Sequence, residues 1–298
     1  RLRDSWYLLV KELRRRKPSV VFSTFGHLNL ALLALRPFLV GRVRVVVREP
    51  NTPSRSIRTL RFGRLLWLGY RLLYRHADAV VCQSQMMAGE MHNFFGVSLG
   101  RITVLPNAVD VATIRGLAEM PCRVGKLGRG LLVVGSLTKK KGLDRLLHWL
   151  SAADSEDCLT VIGEGAEKEP LLRMAAELGL SNRITWLGQL ENPWRYLAGA
   201  DALLLPSRWE GMPNVALEAL ACGTPVIATS QSGGIAELVQ IAPPGAVALA
   251  EDGDEFMAAV KRVEKRSTVG LRESLLPPVY DIETASQGLA PLLFDERA

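Results

Sequence analysis

Short apolar runs rich in β-branched residues recur along the chain, at residues 20–22, 43–47, 79–82 and 102–105. After a Gly/Lys-rich stretch they resume at 131–134, 159–162, 184–187, 202–205 and 225–228. Between them apolar residues return at helical spacing. Continuous apolar strands separated by amphipathic helices predict parallel sheets covered on both faces. Two such sets meet near 111–129, a stretch that holds Pro121, Gly125 and Gly128. The expected organisation is therefore α/β, with two Rossmann-like domains at 1–120 and 121–298. A last helix is expected over about 282–294, after Pro277-Pro278, and it is a candidate to pack back on the first domain. In such sheets ligands bind beyond the carboxyl ends of the strands, so the residues after each run are the ones to read.

With 298 residues and 48% hydrophobic content, the chain can build two cores. Cys82, Cys122, Cys158 and Cys222 are scattered without C-x-x-C spacing, which argues against a zinc site or redox pair and for a reduced, cytoplasmic setting. No apolar run reaches the roughly 18 residues of a spanning helix. There is no initiating Met, and Arg1 falls inside a helical pattern, so an N-terminal segment is expected to be missing. Net charge is +7 but uneven: residues 1–120 hold 19 Lys/Arg against 7 Asp/Glu, and residues 121–298 hold 18 against 23. The basic half points to an anionic partner.

Three strand ends carry candidate chemistry. In LLVVGSLTKKKG a strand stops at Gly135, and Ser136 leads to Lys139, Lys140 and Lys141 ahead of Gly142 and a helix. Glycine admits a ligand close to the backbone, and lysines beside a helix start suit phosphate; a solvated loop is the bland alternative. Gly163-Glu164-Gly165 after the next strand reads as a tight turn. In ALLLPSRWEGMPNVALEALACG a strand gives way to a loop holding Glu210, and a helix begins near Pro213-Asn214, contains Glu218 and stops at Gly223. The amides of Asn214, Val215 and Ala216 are expected to be open to an anion, favoured by the helix dipole. Asp252-Gly253-Asp254 reads as a loop and N-cap rather than a metal site.

These words, in this order, resemble the retaining glycosyltransferases of family 4 (glycosyltransferase group 1). ITVLPNAVD is similar to the end of the family's first domain, LLVVGSLTKKKG to its phosphate loop, and GADALLLPSRWEGMPNVALEALACGTPVIAT to its donor-site core with the E-x7-E pair. The resemblance implies a GT-B fold, with two Rossmann-like domains facing across a cleft, and transfer of a hexose or N-acetylhexosamine from a nucleotide sugar. It favours a UDP sugar and an acceptor that is lipid-linked or a glycan in surface polysaccharide biosynthesis. It implies Lys141 on the diphosphate, Glu218 on the ribose, and Glu210 near the donor sugar. The amides at Met212 to Val215 match those that line the sugar and phosphate in the family, and Gly211, Pro213 and Asn214 count with them as donor-binding residues. Gln189 and Leu190 fall at the nucleobase, and Gly135 and Ser136 on the donor loop. His27, in STFGHLNL, matches the family's active-site histidine. Gly26, Arg48, Glu49 and Asn51 join it as acceptor-side candidates. No metal or other cofactor is expected. Ser136 stands where the family has an arginine, with Lys139 or Lys140 available to substitute, and the family's N-terminal glycine loop is absent from the chain. A degenerate protein that binds sugar nucleotide without turnover is the alternative; an epimerase of similar fold finds no support in the E-x7-E block.

Residues 55–76 are basic and aromatic. At helical spacing Arg64, Arg71 and Arg75 fall on one side, and Phe62, Leu66, Tyr70 and Leu73 on the other. An interfacial helix on an anionic membrane surface is expected, on the cytoplasmic face, with an ordinary packed helix as the alternative. No nucleic-acid motif appears.

Overall fold

The computed structural model describes the chain apart from residues 1, 40, 42, 58–61, 126–127, 267–269 and 294–298, and apart from the side chains of 2–7. It divides into two units, Arg1–Pro106 with Ala285–Ala298, and Asn107–Thr284. The division after Pro106 differs from the expected one after residue 120. The helix Val111–Leu117 accounts for this, because Ile114 and Ala118 pack in the core of the second unit.

The first unit holds a four-stranded sheet in the order β1-β2-β3-β4: β1 Val20–Ser23, β2 Arg44–Arg48, β3 Ala79–Cys82 and β4 Ile102–Val104. Every pairing is parallel, with Val20 opposite Arg44, Val46 opposite Ala79 and Val80 opposite Ile102. Alternation sends Val45 and Val47 to one face, with Leu32, Tyr74 and Phe95, and Val46 to the other with Val81. Leu292 of the last helix, Ile282–Leu293, packs on that second face.

The second unit holds six parallel strands in the order β10-β9-β8-β5-β6-β7. They are β5 Gly130–Val134, β6 Cys158–Ile162, β7 Ile184–Gly188, β8 Ala202–Leu205, β9 Val226–Thr229 and β10 Val247–Ala250. The pattern of apolar runs marks all but β10, whose VALA sequence is half alanine and lacks strand propensity. The chain winds outward from β5 through β7, then returns to the other side of β5 with β8. The loops after β5 and β8 therefore diverge at a topological switch point, where α/β sheets open a crevice.

The basic helix, Gly63–Leu73, packs by Leu66, Tyr70 and Leu73. Three of the four residues of the expected apolar face thus pack inward, and Phe62 stays exposed. Both sides of this helix carry leucines, and the sheet takes the side with the aromatic rings. Leu65, Leu68 and Leu72 are left exposed beside Arg64, Arg71 and Arg75. Residues 58–61 of the basic segment lie outside the described residues. Among the described residues no helix is long and apolar enough to cross a membrane.

Candidate functional site

The loop after β5 turns at Gly135, and the loop after β6 comes so close that a Cβ on Gly163 would lie 1.9 Å from the Gly135 carbonyl oxygen. Only glycine fits there. Hydrogen bonds from Leu137 N to Glu164 O (2.9 Å) and from Gly163 N to Gly188 O (2.8 Å) tie the ends of β5, β6 and β7 together. They frame a cavity of about 300 Å³ lined by Gly135, Ser136, Gly163, Glu164, Gln189 and Leu190, among others. Its volume is at the low end for ligand pockets. Four expected donor-side residues, Gly135, Ser136, Gln189 and Leu190, thus meet at one cavity.

Lys139–Lys141 form a single 3-10 turn, ended by Gly142 in the left-handed region. A Cβ on Gly142 would meet the Pro206 carbonyl oxygen at 2.0 Å, so the lysine loop and the loop after β8 touch backbone to backbone. Lys141 Nζ lies beside Gly135 and 2.7 Å from Glu210 Oε1, and Lys140 Nζ lies 2.8 Å from Oε2. Lys139 is exposed. Glu210 itself is 5% exposed, and Ser207 Oγ donates to its Oε1. Burial alone would raise its pKa; the ammonium groups of Lys141 and Lys140 outweigh it and hold the carboxyl below its ordinary value. Two cations on one carboxylate leave a surplus positive charge at the switch point.

Two arginines that the motif pattern does not single out hold this arrangement. Arg145 donates to Pro206 O (2.7 Å), Ser207 O (2.6 Å) and Thr229 Oγ1 (3.1 Å). Arg208 forks onto Asp144 with both contacts at 2.7 Å, and its backbone N–H and one guanidinium N–H reach the Lys140 and Lys139 carbonyls, each at 2.8 Å. Such bidentate pairs fix geometry as well as adding energy.

The helix Asn214–Ala221 follows Pro213, which adopts extended backbone. Of the three amides expected to be open, that of Ala216 is taken by the Pro213 carbonyl at 3.0 Å, because a tight first turn forms. Asn107 Nδ2 donates to Met212 O (3.1 Å) and Asn214 Oδ1 (2.5 Å), which shapes the helix entry. Glu218 is partly buried and accepts from Trp194 Nε1 at 3.1 Å. Burial raises its pKa, and the Trp194 hydrogen bond only partly opposes this. Trp194 adjoins Pro193, which lines the cavity. Asp252 caps the helix Gly253–Arg262 by accepting from Glu255 N at 2.9 Å. Among the described residues no group of three or more His, Cys, Asp or Glu is placed to hold a metal.

In the first unit, His27 is exposed in the first turn of the helix Gly26–Leu35, with the Phe25 ring 6.0 Å away. Arg48 ends β2, and burial lowers its pKa. Asn51 is half-buried. Glu49 is 2% exposed, so it is not placed to touch an acceptor. Its carboxylate points inward to Tyr70 and Tyr74, because β2 directs alternate side chains into the core.

Residues 128–275 match the family described as glycosyl transferases group 1, and residues 1–113 match Glycosyltransferase Family 4. The chain belongs to this glycosyltransferase family. An uncharacterized glycosyltransferase of Methanocaldococcus jannaschii is 24% identical over 78% of this chain and 61% of its own length. The Campylobacter jejuni N-acetylgalactosamine-N,N'-diacetylbacillosaminyl-diphospho-undecaprenol 4-alpha-N-acetylgalactosaminyltransferase is 30% identical over 69% of this chain and 56% of its own length. The chain thus spans little more than half of these relatives. The crystal structure of Anabaena HepE in complex with UDP superposes with a TM-score of 0.75 at 18% identity, covering 97% of this chain and 81% of that one. This glycosyltransferase chain has the GT-B fold, whose mixed α/β units each carry a parallel sheet.

Proposed function

We propose that the chain is the working part of a retaining glycosyltransferase that moves a hexose or N-acetylhexosamine from a UDP sugar to a lipid-linked or glycan acceptor. The observation that carries this reading is the joining of Lys140, Lys141 and Glu210 beside the cavity at the switch point. The nucleobase enters the cavity against Gln189 and Leu190. Glu218, oriented by Trp194, takes the ribose hydroxyls. The diphosphate lies between Lys141, the backbone at Gly135 and Ser136, and the start of the helix at Asn214. Glu210 and the 211–215 backbone face the sugar.

In the reaction the bond from the anomeric carbon to the diphosphate oxygen breaks, and a bond to an acceptor hydroxyl oxygen forms. Negative charge grows on the departing diphosphate, where fixed ammonium groups and amide dipoles stabilise it. Glu210, held ionised by two lysines, is a weak base, so the acceptor proton goes to the departing diphosphate. His27 is the active-site group of the first unit. No resident cofactor or metal takes part. HepE was crystallised with UDP, and the Campylobacter relative is named for a diphospho-undecaprenol-linked acceptor, which support this donor and this acceptor class.

Thermal-shift titration with UDP, GDP and ADP sugars tests the reading: UDP sugars should protect the protein and Glu218→Ala should abolish the protection. Protection without UDP release from any UDP sugar would favour the non-catalytic alternative, which Ser136 also favours. A second observation supports work at an anionic membrane surface. Leu65, Leu68 and Leu72 stand exposed beside Arg64, Arg71 and Arg75, an apolar stripe with basic flanks. Co-sedimentation with anionic liposomes at low salt should show it, and Leu65→Ser with Leu68→Ser should weaken it. Absence of binding to these vesicles would remove the membrane from the reading.

A further inference from the structure

At the end of β2 the first unit buries a carboxylate that the proposed reaction does not use. Glu49 accepts from the Tyr74 hydroxyl, from the Tyr70 hydroxyl at 3.2 Å and from Asn29 Nδ2 at 3.0 Å. All four residues are 5% exposed or less. Glu49 takes part in none of the ion pairs among the described residues. The rings of Tyr70 and Tyr74 stack at 4.4 Å with 12° between their planes, which fixes both hydroxyls.

A buried carboxylate with neutral partners is a poor device for stability. A satisfied polar network instead specifies one arrangement of the elements it joins. The elements joined here are the two strand ends that carry the acceptor-side candidates. Asn29, in the first turn of the helix Gly26–Leu35, donates both to Glu49 and to the Arg48 carbonyl (2.9 Å). Gly26, the first residue of that helix, lies against Tyr70, whose hydroxyl is 2.3 Å from where a Cβ would stand. His27 follows directly.

We propose that Glu49 is a positioning residue for His27: through Asn29, and through Tyr70 against Gly26, its carboxylate sets the helix turn that presents the histidine at the sheet edge. The inference rests on the reading of His27 as an active-site group. Burial pushes the Glu49 carboxyl up to about 7, which shows how strongly the fold desolvates the group it retains there.

The test uses the full chain labelled with 15N-histidine, with His27 signals identified by their loss in His27→Ala. Glu49→Ala should move the His27 ring shifts, Tyr70→Phe should move them less, and Glu49→Gln should restore most of the wild-type pattern. His148, in the second unit, and UDP affinity should stay unchanged, the latter within twofold. Release of UDP from the UDP sugar that the wild type turns over should fall at least tenfold in Glu49→Ala, and no further when His27 is already Ala. Unchanged His27 signals in a folded Glu49→Ala protein would overturn the proposal, as would losses that multiply in the double variant. Should Glu49→Ala not fold, unmoved His27 signals in Tyr70→Phe overturn it equally. If no UDP sugar is turned over, the donor reading fails, and the ring signals still decide the role of Glu49.

Discussion

Raising the pH should weaken the first unit, through one carboxyl group. Glu49 has its pKa raised from 4.5 to about 7, by burial first of all, against the opposing hydrogen bonds of Tyr74, Asn29 and Tyr70. The folded state therefore keeps a proton that the unfolded chain has already released. The stability this contributes is fully present below pH 4.5 and is lost as pH rises through 7. A displacement of about 2.5 pH units at 1.36 kcal/mol each amounts to about 3 kcal/mol, most of it between pH 5 and 8. The groups that face Glu49 do not blur the window. Tyr70, Tyr74 and Cys82 are all pushed up by burial and by the Glu49 charge, Cys82 to about 12, so they stay neutral throughout. The assay is urea unfolding of wild type and Glu49→Gln at pH 5 and pH 8. Glutamine stays neutral, so the difference between the two proteins isolates the one group. The variant should gain on the wild type by about 2–3 kcal/mol over that range. Parallel curves, within about 0.5 kcal/mol, would refute the buried-carboxyl argument.

Lys140→Ala should weaken UDP binding about tenfold, or about 1.4 kcal/mol by calorimetry, while Lys139→Ala leaves it unchanged, because Lys140 is ion-paired with Glu210 and Lys139 is exposed. Gly26→Ala should destabilise the first unit by about 1–3 kcal/mol in thermal unfolding, and Tyr70→Phe should relieve it by removing the hydroxyl that a Cβ would meet at 2.3 Å. Trp194→Phe removes the indole N–H that donates to Glu218 and should weaken UDP binding by about 1 kcal/mol in the same calorimetric assay, with little change in melting temperature.

The alternation of apolar runs and helical stretches determined the two parallel sheets, since a strand buried on both faces has to be apolar throughout. The family resemblance of the block that holds Glu210, Pro213 and Glu218 likewise marked the candidate donor side, because those residues lie along one strand-loop-helix unit and are close in the chain. Other decisions needed the tertiary structure. Lys139, Lys140 and Lys141 are equivalent as letters; the 3-10 turn, braced by Arg208 on Asp144, aims two of them at Glu210 and leaves the third outside. Arg145, Asn107 and Trp194 act on partners far along the chain, and no local pattern announces them. Glu49 follows a strand end like a ligand contact, yet the pleat turns it inward onto two tyrosines more than twenty positions away. The helix Gly63–Leu73 carries leucines on both sides, so its periodicity was compatible with either face inward. Only the stacked rings of Tyr70 and Tyr74, seated in the core, chose which leucines meet solvent.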